Sequence, residues 1–177
     1  MKFEYILEEK DFVDFHLFSI DENKNSKKIK NIGKLVVTGI LVYFSINMYT
    51  SNNLEFAIIL GVLAILALLF FDRLYQSKLK KHFSKIARQS YAGRIGEKET
   101  MEFTSEHLIT QDKTGEGKTK LSEIDKVNET KNNFFIKLTN GASFIVSKNG
   151  LDNPNLIKSK LNELNIPIDE NLDWEWK

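Results

Sequence analysis

The residues Gly115–Thr119 read GEGKT, which looks like the chemistry-bearing end of a phosphate-binding loop. In a GxxxxGK[ST] loop, backbone amides cradle phosphates and the lysine reaches the terminal ones. A helix then starts at once and adds its dipole. Gly117, Lys118 and Thr119 fit that pattern. The first glycine is due at position 112, where Asp112 would place a carboxylate among the phosphates. The following TKLSEID alternates and then turns, so no helix is expected there. No apolar strand ending in a metal-binding Asp comes after it. The segment therefore reads as a turn between polar strands, its two glycines supplying positive φ angles.

The other reactive residues are dispersed. His16, His82 and His107 fall on different elements, without HxxxH or HExxH spacing for a metal. Each reads as a surface or boundary residue. Asp11 and Asp14 share a helix face, and a solvated face accounts for both. There is no GxSxG elbow to expose a serine nucleophile. The absence of cysteine excludes disulfides, thiolate metal sites and a cysteine nucleophile. The expectation is a protein that is not an enzyme, with no catalytic, cofactor-binding or metal residue and no cofactor. Lys and Arg total 25 against 24 Asp and Glu, which gives no electrostatic footprint for nucleic acid.

The elements around these residues are dominated by two apolar runs. LVVTGILVYFSINMYTSNNL, from Leu35, carries no charge, and after Glu55 comes FAIILGVLAILALLFF, ending at Phe71. A hydrocarbon core of about 30 Å needs roughly 20 helical residues. The first run is long enough and the second is shorter but apolar on every helical face, which argues against a buried soluble hairpin. Both read as membrane spans rather than a cleaved leader. Lys24, Lys27, Lys28, Lys30 and Lys34 precede the first, and Arg73, Lys78, Lys80, Lys81, Lys85 and Arg88 follow the second. The turn near Asn52 and Asn53 has no Lys or Arg. The positive-inside rule then places both termini in the cytoplasm. Tyr49 and Tyr75 stand where interface anchors belong.

Before the spans, Phe3, Tyr5 and Leu7 alternate as on a half-buried strand. EKDFVDFHLFSIDEN then reads as a helix with stripes at Val13, Leu17, Ile20 and at Phe12, Phe15. Past the second span the helix continues, with Tyr75, Leu79, Phe83 and Ile86 on one stripe. Lys78, Lys81, Lys85 and Arg88 form another, either a solvated face or a dock for anionic headgroups. Gly93–Gly96 ends it. Short strands follow: MEFT against HLITQ, then KTKL, KVNET, NFFIKL and SFIVS. Asn140-Gly141 signals a two-residue hairpin of the I′ type. Asn153-Pro154 signals a helix start, with Ile157, Leu161 and Leu164 on its apolar face and Pro167 as its stop. Trp174 and Trp176 fold back on the domain or grip headgroups or a partner. The first strand needs a sheet to join, so the apolar hairpin reads as an insertion into one cytoplasmic domain.

The chain resembles the YcxB-like family of bacterial membrane proteins. The resemblance rests on FEYILEEKDFVDFHLFSI, the two spans, the basic KLKKHF stretch, and the segment from EFTSEHLITQ to ASFIVSKNG. Ile124, Val127, Glu129, Thr130, Phe134, Phe135, Ile145, Val146 and Lys148 occupy its patterned positions. It implies a PH-like C-terminal module, a bent sheet closed by a helix, and supplies no catalytic residues. The fold class expected is thus an α+β membrane protein, with a two-helix transmembrane hairpin inserted into a cytoplasmic PH-like antiparallel sheet closed by a C-terminal helix. The division expected is 1–31 for the first strand and helix, 32–54 and 55–73 for the spans, 74–94 for the basic helix, and 95–177 for the β-rich domain and tail.

The functional expectation is a protein of the bacterial cytoplasmic membrane that binds lipid headgroups or a protein partner at the inner face. The residues assigned to headgroups are Lys78, Lys81, Lys85 and Arg88. Self-association is compatible with this, and nucleic acid is not a partner. Two alternatives remain open: a sensor-effector answering a small ligand, and an immunity-type protein that neutralises a toxin.

Overall fold

The computed structural model describes residues 1–176. The chain is α+β and divides into two compact units, Met1–His16 with Phe83–Trp176, and Leu17–His82.

In the first unit, β1 (Lys2–Ile6) buries Phe3 and Tyr5 and exposes the residues between them, the period-two pattern of a strand with one face inward. It pairs antiparallel with β2 (Lys98–Phe103), Phe3 opposite Met101 and Tyr5 opposite Glu99. The first strand therefore does join the C-terminal part of the chain. β3 (His107–Asp112) and β4 (Gly115–Lys120) complete a four-stranded sheet in the order β1-β2-β3-β4. All of GEGKT is thus strand, not turn: the reversal falls on Lys113 and Thr114, just before it. Of its two glycines, Gly115 takes the expected positive φ, 155°, and Gly117 does not. It lies opposite Thr110, whose Oγ1 would meet an added Cβ at 2.9 Å, so the glycine serves strand packing. Only a three-residue 3₁₀ turn, Leu121–Glu123, follows, not the helix a phosphate loop requires.

A second sheet holds β5 (Ile124–Thr130), β6 (Asn133–Leu138), β7 (Ser143–Ser147) and β8 (Ile168–Asn171), in the order β7-β6-β5-β8. β8 runs parallel to β5, so the expected antiparallel sheet is two sheets, one of them mixed. The β6–β7 connection is not the I′ turn expected. Asn140 keeps a negative φ, Gly141 takes 88°, and the Gly141 amide donates to the Leu138 carbonyl. A type I turn followed by a left-handed glycine is the three-residue hairpin loop with a bulge. α4 (Pro154–Glu163) starts as read: Asn153 Oδ1 accepts from the Asn155 amide at 3.1 Å and Pro154 sits at the first position, where no amide partner is needed. Asn165, at φ 56°, ends it.

α1 (Glu9–Glu22) brings Phe15 onto Phe135 of β6, with ring centroids 5.4 Å apart. Adjacent strand residues face opposite ways, so both faces of β6 are covered: Phe134, Phe135 and Ile136 are all buried.

The second unit holds α2 (Lys24–Thr50) and most of α3 (Leu54–Ser90). Asn23 caps α2 through its side chain, and Ser51–Asn53 reverses the chain, Asn52 taking φ 59°. Both helices are long and apolar enough to cross a membrane, and only 6% and 11% of their most apolar windows are buried. The pair is stitched by Ser45 Oγ donating to the Ala57 carbonyl at 2.7 Å, and by Asp72 holding Lys34 at 2.8 Å and Lys30 at 3.3 Å.

Candidate functional site

α3 is one uninterrupted helix through its basic residues, and spacings of three and four place Lys78, Lys81, Lys85 and Arg88 on one face. All four are exposed. Arg88 is engaged: its Nε donates to Glu9 Oε2 at 2.8 Å, and Glu9 also accepts from Ser84. The three lysines have no ion-pair partner among the described residues. Tyr49 is exposed, and Tyr75 stacks on Phe71 at 6.1 Å.

The structure also assembles a cleft that no sequence motif announces, with a volume of ≈ 480 Å³. Its aromatic side comes from Phe12 and Phe15 of α1, Tyr91 and Phe144. Phe12 stacks on Tyr91 at 4.3 Å and carries the Arg94 guanidinium 5.8 Å from its ring centre. Arg94 becomes available because the chain turns sharply after α3: the Arg94 amide returns to the Tyr91 carbonyl, and the Gly96 amide, at φ 78°, reaches the Leu7 carbonyl. That turn points Arg94 at Glu99 of β2, with two parallel bonds at 2.7 and 2.9 Å. Asp112 lies 3.6 Å from the same guanidinium.

The electrostatics follow from this geometry. Glu99 is nearly buried, while Arg94 is a third exposed. Hydrogen bonding to Glu99 raises the Arg94 pKa. Burial, and then the Glu99 charge, push the Tyr5 phenol well above its usual range, and its hydroxyl donates to Glu99 at 3.4 Å. Asp112 is held below the usual carboxylate range, first by the Thr114 hydroxyl and backbone amide and then by Arg94. Sequence reasoning used Asp112 only as an argument against a phosphate loop, and missed Arg94 and Glu99 altogether. Two opposite charges across a glycine turn give no distinctive signal.

Asp11 corrects the reading of a solvated face. It is 5% exposed. Its Oδ2 accepts from the Glu8 amide at 2.8 Å, closing the first turn of α1. Its Oδ1 accepts from Asn133 Nδ2 at 2.6 Å and from Ser147 Oγ at 3.3 Å, so one carboxylate ties α1 to β6 and β7. Of the histidines, His16 is half-buried and stacks on Phe83 at 4.9 Å, and burial lowers its pKa. His82 is exposed and His107 lies at the start of β3, so the three are not brought together. No cluster of His, Asp or Glu suited to a metal occurs among the described residues. Trp174 and Trp176 are both half-buried in the first unit.

A second charged cluster ties α4 to its sheet. Glu129 of β5 takes Lys148 at 2.7 Å and Lys158 of α4 at 3.1 Å, and Lys148 lies 4.6 Å from the Phe134 ring centre. Burial pushes the Glu129 carboxyl up, but the two ammonium groups outweigh it and hold it below its ordinary value.

Residues 103–161 match the model of the YcxB-like protein family. The matched segment runs from the end of β2 to α4 and includes Asp112, Glu129 and Lys148, about a third of the chain. The resemblance drawn from the sequence holds over this YcxB-like segment. No curated protein and no solved structure matches the chain.

Proposed function

We propose that this is an integral protein of the bacterial cytoplasmic membrane, with α2 and α3 crossing as a hairpin and both termini inside. Its first unit is a PH-like module at the inner face, and the basic stretch of α3 from Lys78 to Arg88 engages anionic headgroups there. The observation that carries the membrane reading is the near-continuous apolar surface that both helices leave uncovered. In water, exposed apolar patches beyond a few hundred Å² are rare, whereas a bilayer covers them. The lysine asymmetry supports the orientation. Two four-stranded sheets closed by α4 support the PH-like reading. The headgroup reading rests on the exposed Lys78, Lys81 and Lys85, each gaining about 1 kcal/mol near an anionic surface. Arg88 contributes less, because Glu9 already shares its charge.

The test is lipid retention. The full chain and its K78E/K81E/K85E/R88E variant are extracted from the same cells in mild detergent, and co-purified anionic lipid is quantified per chain. The reading expects at least half of it to be lost in the variant. Equal retention by both chains would remove the headgroup role while leaving the membrane reading intact.

A further inference from the structure

We infer that the cleft beside Arg94 binds an organic cation, an ammonium or guanidinium group on an apolar stem. This is independent of headgroup binding and uses no residue of that face. The volume of ≈ 480 Å³ falls in the range of small-molecule sites. One side of the cleft is aromatic: Phe12 is buried between Tyr91 and the Arg94 guanidinium, and Phe15, Tyr91 and Phe144 are the partly exposed rings of the lining. Ring faces of this kind attract cations through their quadrupoles.

The charge balance selects the sign of the ligand. The lining holds one cation, Arg94, against three carboxylates, Glu99, Asp112 and Glu116. Arg94 is consumed by its two bonds to Glu99. Asp112 keeps its charge, held ionised by Thr114, and Glu116 is exposed on β4. Lys113, the neighbouring cation on the β3–β4 turn, is paired with Glu97 at 3.1 Å. Arg94, bonded to Glu99 and 3.6 Å from Asp112, is one positive charge among three carboxylates, so the lining keeps two negative charges in excess, which repel an anion and attract a cation. A free cation in solution and a cationic protein side chain offer the same chemistry, and the experiment separates them.

The experiment is calorimetric titration of the detergent-solubilised full chain with agmatine, with N-acetylarginine amide and with glutarate. Saturable binding of agmatine or of the blocked arginine, and none of glutarate, is expected. Binding of the blocked arginine identifies a peptide-borne side chain as a competent source, and binding of agmatine alone identifies a free cation. The D112N/E116Q variant should bind at least tenfold more weakly. The amide oxygen that D112N introduces would still accept from Thr114. E116Q alone, at an exposed position outside the core, should weaken binding in a chain whose fold is not in question. Absence of saturation with either cation, tighter binding of glutarate, or undiminished affinity in both variants would overturn the inference.

Discussion

Replacing Asp11 by alanine removes a carboxylate that is 5% exposed and serves three donors. Loss of the bond that closes the first turn of α1 costs about 1 kcal/mol, by comparison with other helix caps. The larger effect falls on Asn133, which is fully buried: its Nδ2 loses its acceptor, and its Oδ1 already has no partner among the described residues. A buried donor left unpaired costs about 1–3 kcal/mol. The Ser147 hydroxyl, at 3.3 Å, contributes least. D11A should therefore destabilise the first unit by about 2–4 kcal/mol, a fall of roughly 1–2 M in its urea midpoint. The assay is convenient because the chain has two tryptophans, Trp174 and Trp176, and both lie in the first unit. Their fluorescence in detergent micelles then follows that unit alone. Asp125, exposed on β5, is the control, and D125A should stay within about 0.5 kcal/mol of wild type. If D11A and D125A behaved alike, the argument that one buried carboxylate ties α1 to the second sheet would be refuted.

Three further outcomes are expected. Gly117→Ala brings a Cβ to 2.9 Å from Thr110 Oγ1 and should cost about 1–3 kcal/mol by crowding. Adding Thr110→Ala should recover most of the loss in the same urea titration. Glu129 has its folded pKa held below the ordinary 4.5, so the stability it contributes is complete above pH 4.5 and is lost as pH falls through the folded value. E129Q should lose that acid-side slope, as measured by urea midpoints over a pH series. Leu161→Ala, at a fully buried position of α4, should destabilise the first unit by about 2–5 kcal/mol while leaving carbonate-resistant membrane association unchanged.

What the sequence disclosed was local and periodic. Alternation at Phe3, Tyr5 and Leu7 marks a strand because one face must be buried, and Asn153-Pro154 marks a helix start because both residues satisfy its first turn. The long apolar runs needed only their length. What stayed hidden depended on distant partners. Asp11 is ordinary on an amphipathic helix until Asn133 arrives from the other end of the chain. β8, the polar IDEN, has no alternation and is a strand only because β5 offers a parallel edge. GEGKT misled because glycine signals both positive φ and a missing side chain, and here Thr110 requires the second. The cleft was invisible because its lining comes from β1, α1, the turn after α3, β2, β3, β4 and β7, which meet only once the first unit has folded.

The central claim is the membrane hairpin with the first unit inside, and the cysteine-free chain makes it directly accessible to single-cysteine labelling. Ser51→Cys, in the α2–α3 turn, and Ser105→Cys, in the exposed β2–β3 turn, are near-isosteric changes at exposed positions. With a membrane-impermeant maleimide, the account predicts that the thiol at the first position reacts in intact cells and the thiol at the second only after permeabilisation. Reaction at the second position in intact cells, or recovery of the chain in the soluble fraction, would contradict it.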